Sequence, residues 1–132
     1  MEVGDLPVIV DTNALSAIAD ERDRIREVLG TAAALAIPVI AIGEYRSGIA
    51  LSRDAARYRA WLDEFILASQ VLEIDESTTH HYADIVLEIR RIGKPIPTND
   101  IWIAALCRQH GLPLLSKDHH FDVVNRLQRI EW

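Results

Sequence analysis

The sequence predicts a three-layer α/β/α domain with a short, mostly parallel sheet. Apolar runs rich in β-branched residues recur along the chain, and segments with the three- and four-residue spacing of amphipathic helices separate them. Such alternation produces parallel strands joined by right-handed helical crossovers. No repeat, linker or low-complexity stretch interrupts the 132 residues. We therefore expect a single domain over residues 1–132, large enough to bury a core without disulfides.

The first strand and the two helices after it are predicted from the N-terminal part of the chain. Residues 6–10 (LPVIV) form an apolar run that ends at Asp11, as expected of a strand buried on both faces. Asp11, Thr12 and Asn13 then offer N-caps for a short helix over residues 14–19. A second helix is predicted because one face is apolar. That face comprises Ile25, Val28, Leu29 and Ala32.

Residues 37–42 (IPVIAI) predict the second buried strand, and Gly43 ends it immediately before Glu44. A helical segment follows over residues 45–51. The next helix is predicted over residues 53–69, because its large apolar side chains recur at core-facing spacings. They are Tyr58, Trp61, Leu62, Phe65 and Ile66. We expect the three aromatic rings among them to pack in the interior rather than to stack on the bases of a nucleic acid.

The second half of the chain continues the alternation. Residues 71–74 predict a brief strand, and Gly93 and Pro95 end the helix that follows it. The apolar face of that helix comprises Tyr82, Ile85, Val86 and Ile89. Residues 98–100 (TND) open another helix, which is apolar almost all round and ends at Gly111. Three more elements are predicted: a strand over 113–116, a helix over 119–125 and an edge strand over 127–132.

The composition excludes several classes of protein. A net charge of −6 argues against a general nucleic-acid coat, although an acidic nuclease stays open because part of that charge can lie in a metal site. No apolar stretch approaches the ~20 residues of a membrane span, and the N-terminus lacks a signal-peptide pattern. The lone Cys107 lies in an apolar run and is expected to be buried. We expect a cytoplasmic protein without a membrane segment. Four arginines are candidates for a groove beside such a site or for a solvated helix face: Arg46, Arg53, Arg57 and Arg59.

Four acidic residues follow apolar segments at places that this fold brings together. Asp11, Glu44 and Asp118 lie just beyond the carboxyl ends of predicted strands. Asp100 joins them if its helix begins at the same edge. Ligands of parallel sheets collect at that edge, where loops and helix N-termini meet. These four acids are therefore the candidate catalytic residues.

Crowded carboxylates raise one another's pKa and oppose folding unless they share a proton or a cation. Magnesium and manganese prefer oxygen ligands, and magnesium keeps several waters and leaves positions open for a phosphate. That chemistry suits phosphodiester hydrolysis by an activated water and needs no side-chain nucleophile. Each acid taken alone is also an ordinary helix N-terminal or turn residue. The prediction therefore depends on the convergence of all four.

At these residues the sequence resembles the PIN-domain family and, within it, the VapC-like toxins. The matching segments are residues 8–13 (VIVDTN), Glu44, residues 98–105 (TNDIWIAA) and residues 114–121 (LLSKDHHF). They occur in the family's order along nearly the whole chain. The resemblance implies a PIN-like (Rossmann-like) domain with five parallel strands, and endonucleolytic cleavage of RNA with Mg²⁺ or Mn²⁺.

The resemblance also implies a role for each acid. Asp11, Asp100 and Asp118 would be the main metal ligands, with Glu44 as a nearby ligand or as the base for water. Each of these is a residue that the sequence pattern had already selected. The resemblance to the family thus specifies which of the clustered acids are expected to bind the cation.

Further residues and partners follow from the same likeness. Thr12 and Asn13 would hold the ligating carboxylates in place without binding the metal themselves. The family's last motif varies, so that Asp122 either enters the site or lies on the final helix, and we favour Asp118 as the ligand. A toxin of this kind pairs with a cognate antitoxin that blocks its site. It forms a homodimer, or a heterotetramer or larger assembly with the antitoxin.

Two alternatives remain from the sequence. A receiver-type phosphoacceptor domain also has a parallel sheet, binds magnesium and carries acids after its first strand. Against it, the first strand ends in Asp-Thr-Asn rather than in paired acids, and Asp75 after the third strand runs straight into Glu76. A PIN-like fold that has lost activity and serves only for binding is the other alternative. The presence of all four acids argues against it.

Overall fold

The computed structural model describes residues 6–22, 24–30 and 34–132. Five strands form one sheet in the spatial order β3-β2-β1-β4-β5, and every adjacent pair is parallel. The strands are β1 (Val8–Val10), β2 (Leu35–Pro38), β3 (Gln70–Leu72), β4 (Leu114–Leu115) and β5 (Arg129–Ile130). The predicted α/β class with a short parallel sheet is confirmed.

Helices cover both faces of the sheet. They are α1 (Thr12–Ala19), α2 (Ile25–Leu29), α3 (Val39–Ile49), α4 (Ala55–Leu67), α5 (Glu76–Ile92) and α6 (Thr98–His110). Buried side chains of α1 to α4 share one hydrophobic cluster, and those of α5 and α6 share another. The sheet lies between these two clusters, which gives the expected three layers.

The residues of β1 show why the strands are apolar throughout. Val8 and Val10 belong to the cluster of α1 to α4, whereas Ile9 belongs to the cluster of α5 and α6. All three are at most 2% exposed. Successive side chains of a strand point to opposite faces, so a strand packed on both sides has no position for a polar residue.

The prediction of a strand over residues 37–42 is wrong in its bounds. The strand β2 ends at Pro38, and Val39 begins α3, so that Gly43 lies within the helix. Pro38 has no N–H for a strand ladder, and its φ of −63° suits the start of a helix. The buried residues of α3 are Ala41, Ile42, Tyr45 and Ile49, which follow helical spacing. Glu44 is therefore a helix residue and does not directly follow a strand.

Other predicted elements are present with shorter bounds. The strands expected over residues 6–10, 113–116 and 127–132 contain three, two and two residues. The final helix is a 3₁₀ helix, His119–Val123. The predicted segment 45–51 belongs to α3, and Ala32 lies outside the described residues. Cys107 is 1% exposed, as expected.

The chain changes direction across the sheet at β1. From β1 it moves outward to β2 and β3, and then α5 and α6 return it to β4 on the other side of β1. The crevice beyond the carboxyl ends of β1 and β4 is the point at which doubly wound sheets bind ligands. In the part of the chain that the structure describes, no helix is both long and apolar enough to span a membrane.

Candidate active site

A cleft of about 630 Å³ opens beyond the carboxyl ends of β1 and β4. All four sequence-predicted acids line it, together with polar groups from α1 and α6. The lining residues are Asp11, Thr12, Asn13, Ser16, Glu44, Pro97, Thr98, Asn99, Asp100, Asp118 and His120. The convergence that the sequence prediction required is present. The catalytic and ligand roles of these acids remain a prediction.

Asp11 is the most buried acid of the cleft, at 4% exposed. It leaves β1 and caps α1, where its Oδ1 accepts a hydrogen bond of 2.8 Å from the Thr12 backbone N–H. Its Oδ2 accepts one of 2.6 Å from the Ser116 hydroxyl. Burial raises the pKa of Asp11 above its ordinary value of 3.8, and these two hydrogen bonds oppose that rise. Burial has the larger effect.

Ser116 connects the ends of β1 and β4 and is not among the residues predicted from the sequence. Its hydroxyl donates to Asp11 and accepts from Asn13 Nδ2 at 3.3 Å and from the Asp118 backbone N–H at 2.9 Å. Asn13 Oδ1 in turn accepts from the Lys117 backbone N–H at 3.3 Å. The side chain of Ser116 is fully buried. A hydroxyl at the end of an apolar strand, two residues before a candidate ligand, was the available signal.

Glu44 reaches the cleft from the second turn of α3. Thr12 Oγ1 donates to its Oε1 at 2.8 Å, and Asn99 Nδ2 lies 3.5 Å from its Oε2. These contacts join α1, α3 and α6 at one side chain. Thr12 thus orients a candidate acid, while its role beside a bound metal stays a prediction.

Asp100 lies in the first turn of α6. Burial raises its pKa to about 6, and the negative charge of Asp11 adds to that rise. The contact of its Oδ2 with His120 Nδ1, at 3.3 Å, acts in the opposite direction. An acid at a helix N-terminus would normally be more acidic than in water. The raised pKa therefore indicates crowding and desolvation in this cleft.

Asp118 caps the 3₁₀ helix, and its Oδ1 accepts from the His120 backbone N–H at 3.0 Å. The same oxygen lies 3.2 Å from His120 Nδ1. His120 is exposed and lines the cleft, whereas the ring of His119 contacts Asp122 and Glu131.

Asp122 does not line the cleft. Arg129 Nε donates to its Oδ1 at 2.8 Å, and Arg129 Nη2 donates to its Oδ2 at 3.1 Å. These hydrogen bonds lower the pKa of Asp122. Of the two acids that the last motif offered, Asp118 lines the cleft and Asp122 pairs with Arg129; the choice of Asp118 as the ligand stays a prediction.

The charge of the cleft is strongly unbalanced. Its described lining contains four carboxylates and no lysine or arginine. The arginines considered in the sequence lie elsewhere, and two of them pair with other acids, Arg46 with Asp63 and Arg57 with Asp54. Carboxylate oxygens are the donors that Mg²⁺ and Mn²⁺ favour. The donor set therefore fits a divalent cation.

The fold and the cleft define an α/β domain with an acidic ligand site at the switch point of its parallel sheet. Comparison with known proteins specifies the family. The PIN domain family profile matches residues 8–127, and the chain belongs to the PIN-domain family.

Individual relatives span most of the chain. Ribonuclease VapC4 of Mycobacterium tuberculosis is 31% identical over 87 residues, covering 64% of this chain and 67% of that protein. Ribonuclease VapC2 of Haemophilus influenzae is 28% identical over 132 residues, covering 96% and 98%. A chain in the crystal structure of DNA-bound VapBC from Salmonella typhimurium is similar with a TM-score of 0.83 and 27% identity, covering 96% of this chain and 98% of that one.

Proposed function

We propose that this chain is a metal-dependent endoribonuclease and the toxin of a toxin–antitoxin pair. The observation that carries the proposal is the cleft, where four carboxylates converge without a lysine or arginine in the described lining. The relatives named ribonuclease VapC support the substrate class. The family and the site thus indicate the same chemistry.

The charge of the cleft explains why a cation is needed. A phosphodiester that entered it would meet several negative groups at short range, and Coulomb repulsion would oppose binding. A divalent cation removes this obstacle, because it attracts both the carboxylates and the phosphate. We infer that the ion is Mg²⁺ or Mn²⁺, held by Asp100, Asp118 and Asp11. When bound, such an ion supplies charge neutralisation at the phosphate and makes a nearby water more acidic.

The other cleft residues have roles that follow from their contacts. Glu44 is oriented by Thr12 and Asn99 and is the acceptor for the proton of the attacking water. The water oxygen bonds to phosphorus, and its proton passes to the carboxylate. The bond from phosphorus to the leaving oxygen breaks, the electron pair stays on that oxygen, and the oxygen takes a proton from solvent water. Ser116 and Asn13 fix Asp11. We expect Glu44→Gln to slow cleavage by about 10²–10⁴-fold, the usual contribution of a general base.

We infer a protein partner from the structural relative, which is a VapBC complex. The partner is a cognate antitoxin that covers the cleft, and the toxin forms a homodimer or, with the antitoxin, a heterotetramer or larger assembly. The pair acts in the cytoplasm, where RNA is the substrate.

The receiver-type alternative is inconsistent with the fold. Receiver domains have the strand order 2-1-3-4-5, in which the strand bearing the phosphoacceptor lies beside β1. Here β3 is an edge strand and β2 separates it from β1. Asp75, which follows β3, caps α5 and accepts from Thr78 and Gln109. Asp75 is not among the residues that line the cleft.

Cleavage of RNA by the purified chain tests the proposed activity. With Mg²⁺ or Mn²⁺ we expect degradation, and we expect Asp11→Asn and Asp100→Asn to abolish it while circular dichroism shows an intact fold. Asp122→Asn is the matched control, because it makes the same chemical change outside the cleft. Equal cleavage by the wild type and both cleft variants would mean that a contaminant or another site is responsible.

Expression in a bacterial host tests the biological role and separates a toxin from an inactive binding module. We expect growth arrest by the chain alone and relief when the neighbouring upstream gene is expressed with it. Arrest should be absent with Asp11→Asn. Normal growth with well-expressed wild-type protein would contradict the toxin role.

A further inference from the structure

His120 lies between two of the candidate metal ligands. Its Nδ1 is 3.3 Å from Asp100 Oδ2 and 3.2 Å from Asp118 Oδ1. Among the described residues, these three side chains form a group whose possible ligand atoms all lie within 4.8 Å of one another. One nitrogen and two oxygens therefore face the same small volume of the cleft.

The separations of these atoms suit adjacent positions around one cation. Two donors at about 2.1 Å from an octahedral ion, at right angles, are about 3 Å apart. The observed separations of 3.2 and 3.3 Å are close to that value. Because the three atoms lie within 4.8 Å of one another, one ion placed between them can be reached by all three side chains.

The backbone holds the imidazole in this place. His120 donates its N–H to Asp118 Oδ1 at 3.0 Å within the 3₁₀ helix. The next residue, Phe121, is fully buried in the cluster of α5 and α6 and anchors the turn. His119, one residue earlier, has its ring on the Asp122 and Glu131 side instead. The two adjacent histidines thus have distinct surroundings.

We propose that His120 supplies a nitrogen ligand to the cation held by Asp100 and Asp118, and that this nitrogen makes the site prefer Mn²⁺ to Mg²⁺. The inference rests on the proposed function, which assigns a divalent cation to this cleft. Both ions favour oxygen ligands, but Mn²⁺ is a first-row transition ion and accepts an imidazole nitrogen more readily than the harder Mg²⁺ does. An all-carboxylate site lacks this source of discrimination. His120 is then a specificity-determining residue of the metal site.

Metal binding by the full chain without RNA tests this proposal independently of catalysis. Isothermal titration calorimetry with Mn²⁺ and with Mg²⁺ compares the wild type, His120→Ala and His119→Ala. Loss even of a group that only orients a metal ligand costs about 10–100-fold in affinity, so we expect His120→Ala to weaken Mn²⁺ binding by at least about tenfold and to affect Mg²⁺ much less. His119→Ala should change neither affinity. The His120 side chain is 49% exposed, so its removal leaves the fold intact.

Pulsed electron paramagnetic resonance of bound Mn²⁺ gives a direct second reading. We expect modulation from a coordinated ¹⁴N nucleus in the wild type and in His119→Ala, and its loss in His120→Ala. Absence of the nitrogen signal in the wild type would overturn the proposal. An equal loss of Mn²⁺ and Mg²⁺ affinity in His120→Ala would overturn the claim of selectivity. Failure of the wild type to bind either ion would remove the metal-dependent function itself, a result distinguishable from both.

Discussion

The cleft has two halves that differ in how their carboxylates are held. In the inner half, Asp11 is 4% exposed, and each of its oxygens accepts at least one hydrogen bond from Thr12, Asn13 or Ser116. In the outer half, the side chains of Asp100 and Asp118 are 14% and 29% exposed and share one imidazole. The inner acid is fixed by neutral donors, and the outer acids face the opening.

This difference indicates that the carboxylates of the two halves have different roles. A buried carboxylate needs donors to offset its desolvation, and those donors also fix its orientation before any ligand arrives. Among the described residues the outer acids have fewer donors: Asp118 accepts from the His120 backbone N–H, and Asp100 contacts the His120 ring. Burial together with the charge of Asp11 raises the pKa of Asp100 to about 6. We therefore expect the outer half to gain most from a bound cation. Substitutions in the two halves should have opposite effects on the stability of the metal-free protein.

Asp100→Asn should stabilise the metal-free protein at alkaline pH. The folded-state pKa of Asp100, about 6, lies above the ordinary value of 3.8. Protonation of Asp100 therefore stabilises the folded protein fully below pH 3.8, and this stabilisation is lost as the pH rises through about 6. Asparagine does not ionise, so the variant does not lose this stability as the pH rises. We expect the free energy of unfolding at pH 8 with a chelator to increase by about 2–3 kcal/mol, and the difference to vanish at pH 4. Urea denaturation at both pH values measures it.

The same variant should respond differently to a cation. If the proposed site binds Mn²⁺, a concentration of about 100 times the Kd should stabilise the wild type by about 2.7 kcal/mol, whereas Asp100→Asn should gain much less. Asp84→Asn, an exposed acid of α5, is the control, with an expected change within about 0.5 kcal/mol. A loss of stability in Asp100→Asn at pH 8 without cations would show that the outer half is not under electrostatic stress.

Ser116→Ala should destabilise the protein, in contrast to the outer-half variant. It removes a donor from the buried Asp11 and an acceptor from the Asp118 N–H. Buried polar groups left without partners cost about 1–3 kcal/mol, and we expect a decrease of that size in the free energy of unfolding. The pKa of Asp11 should rise further, because the hydrogen bond that opposes its rise is gone.

Chemical denaturation checks this prediction, with the exposed Ser77→Ala as the matched control. Ser116→Thr keeps the hydroxyl and should retain part of the stability if the added methyl group is accommodated. Unchanged stability in Ser116→Ala would mean that a water replaces the hydroxyl, and the inner half would then not be preorganised by protein groups alone.

The contrast between the halves also shows what the sequence can reveal. Asp11, Asp100 and Asp118 were identified because each follows or opens an element whose type was readable from local pattern. Glu44 was identified too, but through a wrong element, since an apolar run fits both a buried strand and a buried helix. Its place in the cleft survived because α3 begins at the carboxyl end of β2.

Two residues beside these acids, Ser116 and His120, could not be predicted in the same way. Ser116 acts through contacts with residues about a hundred positions away along the chain, and periodicity carries no signal for such contacts. The adjacent His119 and His120 look equivalent in sequence, yet a 3₁₀ turn places only His120 in the cleft. Because the backbone turns between these two residues, only one of the two rings contacts the acids of the cleft.

Asp122→Asn should have the smallest effect of these substitutions on the free energy of unfolding. It also tests whether metal binding in the cleft depends on the ion pair between Asp122 and Arg129. Arg129, whose side chain is 11% exposed, contacts Asp122 with two nitrogens and donates through Nη1 to the Ser116 carbonyl at 3.0 Å. Because Arg129 lowers the pKa of Asp122, this stabilisation is present above the ordinary 3.8 and is lost as the pH falls through the folded-state pKa. At neutral pH we expect a loss of about 0.5–1 kcal/mol and unchanged Mn²⁺ affinity by calorimetry. A marked loss of Mn²⁺ affinity would show that the outer half depends on Arg129 for its shape, because the guanidinium is the link between Asp122 and the strand exit that carries Asp118.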